Sequence, residues 1–199
     1  MRKFRRFENK KALITGATGG IGSSLVKALK NEGALVAVTD LDTSKIDADA
    51  SFDGDLLNPK FCDELPKKVF DKFKGIDFLC NVAGVITRGK IDKITDEDYN
   101  KTMKVNVEAP FRLCRASIPL MKKGSAIVNV SSCWGLRAGP EHPLYIMSKA
   151  AIASLSQSLG LDHANQGIRI NAVCPNEVNT PMIKSGFKMR GLDSKKAIE

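Results

Sequence analysis

The sequence predicts an α/β fold, a doubly wound parallel sheet covered by helices. Three observations predict it: short apolar runs alternate with longer amphipathic stretches, the first run flows into a glycine-rich turn, and no linker divides the 199 residues. Runs at 12–15, 35–39, 77–81, 126–130 and 168–173, bounded by Gly, Asn or Asp, read as buried strands. A shorter strand-like stretch before Asp55 brings the sheet to about six strands. Helices are expected over 21–31, 59–74, 95–123 and 144–165. Thr95 caps the third, with Asp96, Glu97 and Asp98 in its first turn, and Pro119 bends or ends it. Such alternation implies right-handed βαβ units, with ligands bound beyond the carboxyl ends of the strands.

The composition narrows the function classes. A chain that is 43% hydrophobic is not a disordered polymer, and its length suits one domain, 1–199. No apolar run is long enough to span a bilayer, and the basic opening 1–7 is not followed by a secretory signal. Five scattered cysteines without a C-x-x-C pair indicate neither a disulfide framework nor a zinc site, and point to a reducing cytoplasm. The net charge of +9 sits at the ends, +5 over residues 1–11 and +3 over 182–199. Residues 1–9 therefore read as a solvated basic arm and 182–199 as a basic tail or partial substrate lid. Neither nucleic acid nor membrane is an expected partner, since no basic stripe or interleaved aromatics accompany the charge.

Gly16-Ala17-Thr18-Gly19-Gly20-Ile21-Gly22 joins the first strand to the first helix. Glycines there let the backbone approach a pyrophosphate while the helix N-terminus offers free N–H groups. A P-loop is excluded, because no Gly-Lys-Ser/Thr follows. Strand two ends at Asp40, followed by Leu41; a carboxylate in that place accepts hydrogen bonds from ribose hydroxyls and repels a 2′-phosphate, so NAD is preferred over NADP. Asp49-x-Ser51-x-Asp53-Gly54 looks briefly like a calcium loop, but Lys60 stands where a bidentate Glu is needed, and no metal is expected.

Tyr145 and Lys149 lie four apart on one helix face, and Ser132 follows the fifth strand. With Asn81-Val82-Ala83-Gly84 and Asn106, this ordered set resembles the classical branch of the short-chain dehydrogenase/reductase family, over about residues 10–180. The resemblance implies a Rossmann-type sheet and hydride transfer between NAD(H) and a small alcohol or ketone. Tyr145 would be the general acid/base, with Ser132 polarising the substrate oxygen. Lys149 would lower the phenol pKa and hold the nicotinamide ribose, and Asn106 would position a relay water. Gly16, Thr18, Gly20, Ile21, Gly22, Asp40, Leu41, Asp55, Leu56, Asn81, Ala83 and Gly84 would bind cofactor with Tyr145 and Lys149. Pro175, Val178 and Thr180 would hold its carboxamide. Ionising a tyrosine near pH 7 needs about 4 kcal/mol, and a cation about 4 Å away supplies a similar amount. His142 has no G-x-S-x-G elbow to serve, so a hydrolase triad is not read, and His163 reads as a surface residue. Arg88 and Arg137 border the pocket but read as solvated.

The chain also departs from the family. Asn176 follows Pro175 where glycine is usual, and the stretch between strand two and Asp55 is too short for a helix. After Met182 no lid, further helix or seventh strand is legible, with Phe187, Met189 and Leu192 too sparse to build them. Strand 168–173 is then a sheet edge. A fragment of a longer enzyme is the expectation, with a catalytically silent NAD-binding protein as the alternative. The family usually assembles as homodimers or tetramers through the helices expected at 95–123 and 144–165.

Overall fold

The computed structural model describes residues 5–189. Its sheet has six parallel strands in the order β3-β2-β1-β4-β5-β6, which is the predicted α/β architecture. The strands are β1 Lys11–Thr15, β2 Leu35–Asp40, β3 Ala50–Asp53, β4 Phe78–Asn81, β5 Ala126–Val130 and β6 Arg169–Val173. Strand order reverses between β1 and β4, and the carboxyl ends of these strands carry every candidate site turn. β1, β2 and β4 are apolar on both faces because both are covered. On one side α1 Gly20–Asn31 packs Val26 and Leu29 against Ile14, Val36 and Val38. On the other, α2 Pro59–Phe73 contributes Leu65 and Val69 and α4 Ala109–Ser117 contributes Leu113, against Leu13, Leu79 and Ile127. α5 Pro143–Asp162 lies beside them along β5 and β6.

The helix expected over 95–123 is not one helix. Thr95 does cap α3 Asp96–Met103, accepting from Asp98 N while the Asp98 carboxylate takes the Thr95 N–H. A π-helical turn follows at Lys104–Glu108, then α4, and a 3₁₀ turn at Ile118–Leu120 ends the run at Pro119. Periodicity cannot reveal this break, since a π turn inserts one residue without changing the composition. No helix intervenes between β2 and β3, as the short segment required, and β6 is the sheet edge among the described residues.

Residues 5–9 of the basic arm keep their charged side chains exposed, while Phe7 meets Phe78 edge-on at 5.4 Å, Arg6 pairs with Glu32, and Phe7 N donates to Glu32 O. A further helix, α6 Pro181–Met189, follows β6 and buries Phe187 where no element was legible. Leu192 lies outside the described residues.

Candidate active site

The turn after β1 is tight for a steric reason. Gly16 has φ +65°, and a Cβ there would sit 2.6 Å from Ala83 Cα; a Cβ on Gly22 would sit 2.1 Å from Gly16 O. This turn opens a cleft of about 490 Å³ beyond the strands. Its walls include Gly16, Thr18, Gly20, Ile21, Gly22, Asp40, Leu41, Asp55, Leu56, Ala83, Gly84 and Thr180, as the sequence predicts. Gly54, Leu57, Val105, Lys101 and Met182 line it too and carry no sequence signal of their own.

Five predicted cofactor residues are not in this wall: Tyr145 and Lys149, described below, and Asn81, Pro175 and Val178. Asn81 is buried behind the cleft, where its Nδ2 donates to Asn129 Oδ1 at 2.8 Å. Pro175 and Val178 are not part of the wall; Pro175 O accepts from Cys133 N, and Val178 is exposed. Asn176 needs no left-handed backbone, and its Oδ1 accepts from Cys133 Sγ at 3.1 Å. Asp40 is already engaged: its Oδ2 accepts from Thr18 N (3.0 Å) and Thr18 Oγ1 (2.6 Å), and its Oδ1 from Leu41 N.

At one end of the cleft Gly84 approaches the other cluster. A Cβ on Gly84 would lie 3.2 Å from Lys149 Nζ and 3.3 Å from Asn106 Oδ1. Asn106, in the π turn, has its amide held on all sides: Oδ1 accepts from Val85 N (2.8 Å), and Nδ2 donates to Val85 O (2.9 Å) and Ser148 Oγ (3.0 Å). Ser148 in turn donates to Tyr145 O at 2.8 Å. Ser131 Oγ donates to Lys149 O at 2.7 Å, so β5 and α5 are stitched beside the candidate pair. Neither serine was singled out from the sequence, because a serine's partner is decided by which elements meet.

Tyr145 stands in the first turns of α5, with the Trp134 ring edge-on at 6.4 Å and His142 against that tryptophan at 4.5 Å. Burial pushes the phenol pKa up, while the neighbouring Ser132 hydroxyl draws it down. Cys133 adds to the rise and Arg88 opposes it. Arg88 is half-buried rather than fully solvated, and its guanidinium donates to Met182 O at the start of α6. Arg137 is exposed, as expected.

Lys149 is 4% exposed, and its Nζ donates to Val130 O at 2.8 Å. Burial brings its pKa down to about 8. Nζ lies 5.8 Å from the Tyr145 ring centroid and is anchored on the strand. Helical spacing puts two residues on one face, but the length and bonding of a lysine side chain decide where its charge ends.

Residues 10–191 match the family model for short chain dehydrogenase. An uncharacterized oxidoreductase of Thermotoga maritima is 40% identical over 195 residues, covering 92% of this chain and 77% of that protein. Galactitol 2-dehydrogenase of Agrobacterium fabrum is 35% identical over 185 residues, 87% of this chain and 72% of that one. The crystal structure of a short chain dehydrogenase from Burkholderia cenocepacia in complex with NADP superposes with a TM-score of 0.85 at 31% identity, covering 89% of this chain and 78% of its own. The chain belongs to the short-chain dehydrogenase/reductase family, oxidoreductases that bind nicotinamide cofactors.

The residues present fit such a dinucleotide. α1 starts at Gly19 with no side-chain cap, leaving its first N–H groups turned to the cleft mouth. The elongated wall runs from Asp40 and Asp55 past the glycine turn to Gly84, beside Lys149.

The depressed lysine has a consequence for stability. Between about pH 8 and its ordinary value of 10.5 the unfolded chain holds a proton that folded Lys149 has lost, so stability rises across that window. Lys149→Met is expected to abolish this rise and to leave the protein at least as stable near neutrality. Urea unfolding of both proteins at about pH 7 and about pH 9.5 measures the difference.

Proposed function

We propose that this chain is a dehydrogenase or reductase that moves a hydride between NAD(H) and a small polar alcohol or ketone. One observation carries the reading: Tyr145 stands with its ring 5.8 Å from the Nζ of buried Lys149 and within the influence of the Ser132 hydroxyl, where the glycine-turn cleft ends at Gly84. A nicotinamide held in that cleft supplies the hydride donor or acceptor.

The chain's own residues supply the rest. Ser132 Oγ, fixed by accepting from Trp134 N, donates to the substrate oxygen and orients it toward Tyr145. In oxidation the phenolate of Tyr145 receives the alcohol proton; in reduction the phenol returns it. Burial raises the phenol pKa and so keeps its proton available for donation, while the neighbouring Ser132 hydroxyl acts in the opposite direction. Lys149, with one of its three N–H bonds on Val130 O, turns the others to the cofactor ribose. Any water positioned by Asn106 is held through its backbone, since the side-chain amide is bonded to Val85 and Ser148. Trp134 and Cys133 form the near wall of the substrate pocket. Galactitol 2-dehydrogenase among the relatives supports a polar, hydroxylated substrate. The scattered unpaired thiols support a reducing, cytoplasmic setting.

Tyr145→Phe is expected to lower kcat by roughly 10²–10⁴-fold. Cofactor affinity, read by titration of NADH fluorescence, should stay within about twofold, and undiminished turnover would end the acid/base assignment.

The NAD preference rests on Asp40, whose carboxylate Thr18 and Leu41 hold in the cleft wall. That charge repels a 2′-phosphate. Comparing kcat/KM for the two cofactors, Asp40→Ser should narrow the NAD preference by about tenfold, or ~1.4 kcal/mol.

Homo-oligomerisation is proposed through the face where α3, α4 and α5 meet. A groove of about 700 Å³ runs there between Met103, Val107, Phe111 and Leu155, and Phe111 is 45% exposed. Light scattering should show a dimer or tetramer, with Phe111→Glu shifting it toward monomer.

A further inference from the structure

The catalytic helix presents a problem that apolar packing does not solve. α5 runs PLYIMSKAAIASLSQSLGLD, with small or apolar residues nearly all round, and buries Leu144, Ile152 and Ala153. Hydrophobic contact is non-directional. A slide of one residue along the axis moves a helix 1.5 Å and turns it about 100°. That would carry Tyr145 away from Ser132 and Lys149 away from Val130 O.

Directional bonds from one strand oppose such a slide. Asn129 and Ser131 point to the same face of β5, two residues apart. Ser131 Oγ bonds Lys149 O at 2.7 Å, and Asn129 Nδ2 bonds Ser156 Oγ at 2.9 Å. The two helix partners are seven residues apart, about two turns, so they too share a face. Ser156 then donates to Ile152 O at 2.7 Å, which leaves its oxygen lone pairs directed at Asn129. Asn129 is itself held from behind. Asn81, its register partner on β4, donates to its Oδ1 at 2.8 Å, and the Cys114 thiol of α4 touches the same oxygen. Asn129 is 0% exposed and Ser156 2%, so no water replaces either partner.

We propose that Ser156, three turns beyond Tyr145, is a positioning residue: through its hydrogen bond with Asn129 it sets the register of α5 and so holds Tyr145 and Lys149 opposite Ser132. It touches neither substrate nor cofactor. The role rests on Tyr145 acting as acid/base, as proposed above, and adds a part of the molecule that the Tyr-x-x-x-Lys pattern does not reach.

The test compares Ser156→Thr with Ser156→Val, which have the same shape and differ in the hydroxyl. Trp134, the single tryptophan of the chain, packs edge-on to Tyr145 and reports the position of the first turns of α5 without any turnover. Ser156→Val is expected to shift Trp134 emission and to lower kcat by about tenfold while KM and NADH affinity change less than about twofold. The nearby Ser132 hydroxyl draws the phenol pKa down, so moving Tyr145 away from it should move the pH of half-maximal oxidation upward. Ser156→Thr should match the parent in all of these readouts. If Ser156→Val fails to fold by circular dichroism, Ser156→Ala, which adds no volume, gives the same comparison. A folded Val or Ala variant with parental emission, kcat and pH profile overturns the proposal, as does a Thr variant as impaired as Val. Tyr145→Phe run in parallel separates the two readings: if it stays active the acid/base role fails, while the emission shift still reports whether Ser156 sets the helix.

Discussion

A buried ammonium is the constraint around which this fold is arranged. Lys149 carries its charge into the space between the end of β5 and the first turns of α5, with one bond to Val130 O for compensation. Burying an ammonium opposes folding unless its donors are met, and the depressed pKa of about 8 registers that opposition. The surrounding bonds hold the lysine where the apolar core alone would not. Ser131 grips its carbonyl, Ser148 ties the preceding turn to Asn106, and Gly84 leaves room for the side chain. The same bonds align Tyr145 with Ser132, so the position of the phenol follows from the accommodation of the charge.

The parallel sheet makes this accommodation face a ligand cleft. Strand order reverses between β1 and β4, and the turns after both strands, with Gly16 close against Ala83, line one cleft. Asp40 at the end of β2 is drawn onto the glycine turn by Thr18, which puts a carboxylate in the cleft wall. From the far side the π turn carries Asn106 inward, and a regular helix through 104–108 would rotate that amide away from Val85. The start of α6 reaches the cleft, with Thr180, Pro181 and Met182 in the wall and Arg88 bonded to Met182 O.

Much of this was legible because it depends on local pattern. The Gly16–Gly22 turn, the Thr95 cap, the end of β2 at Asp40 and the Tyr145–Lys149 spacing each depend on neighbours within one or two turns. Other features were illegible because their partners are far apart in sequence. Asn129 and Ser156 meet across 27 positions, Asn81 and Asn129 across 48, and Phe7 finds Phe78 only once β1 and β4 are paired. The anchor of the lysine cation has the same origin. Spacing identified its helix face, but the strand carbonyl that captures Nζ belongs to another element.

By itself the sequence determined the order and type of the strands, the glycine turn that opens the cleft, and the set of polar residues at the strand ends, because strand burial, backbone freedom and helical period act over short stretches. Tertiary structure alone decided which of those polar groups touch. It broke the 95–123 helix with a π turn, buried Asn81 against Asn129 rather than in the cleft wall, brought the start of α6 to the cleft and set Ser132 near Tyr145. Hydrogen bonds form only within a few tenths of an ångström of their ideal length, and packing sets such distances between elements once the whole sheet is closed.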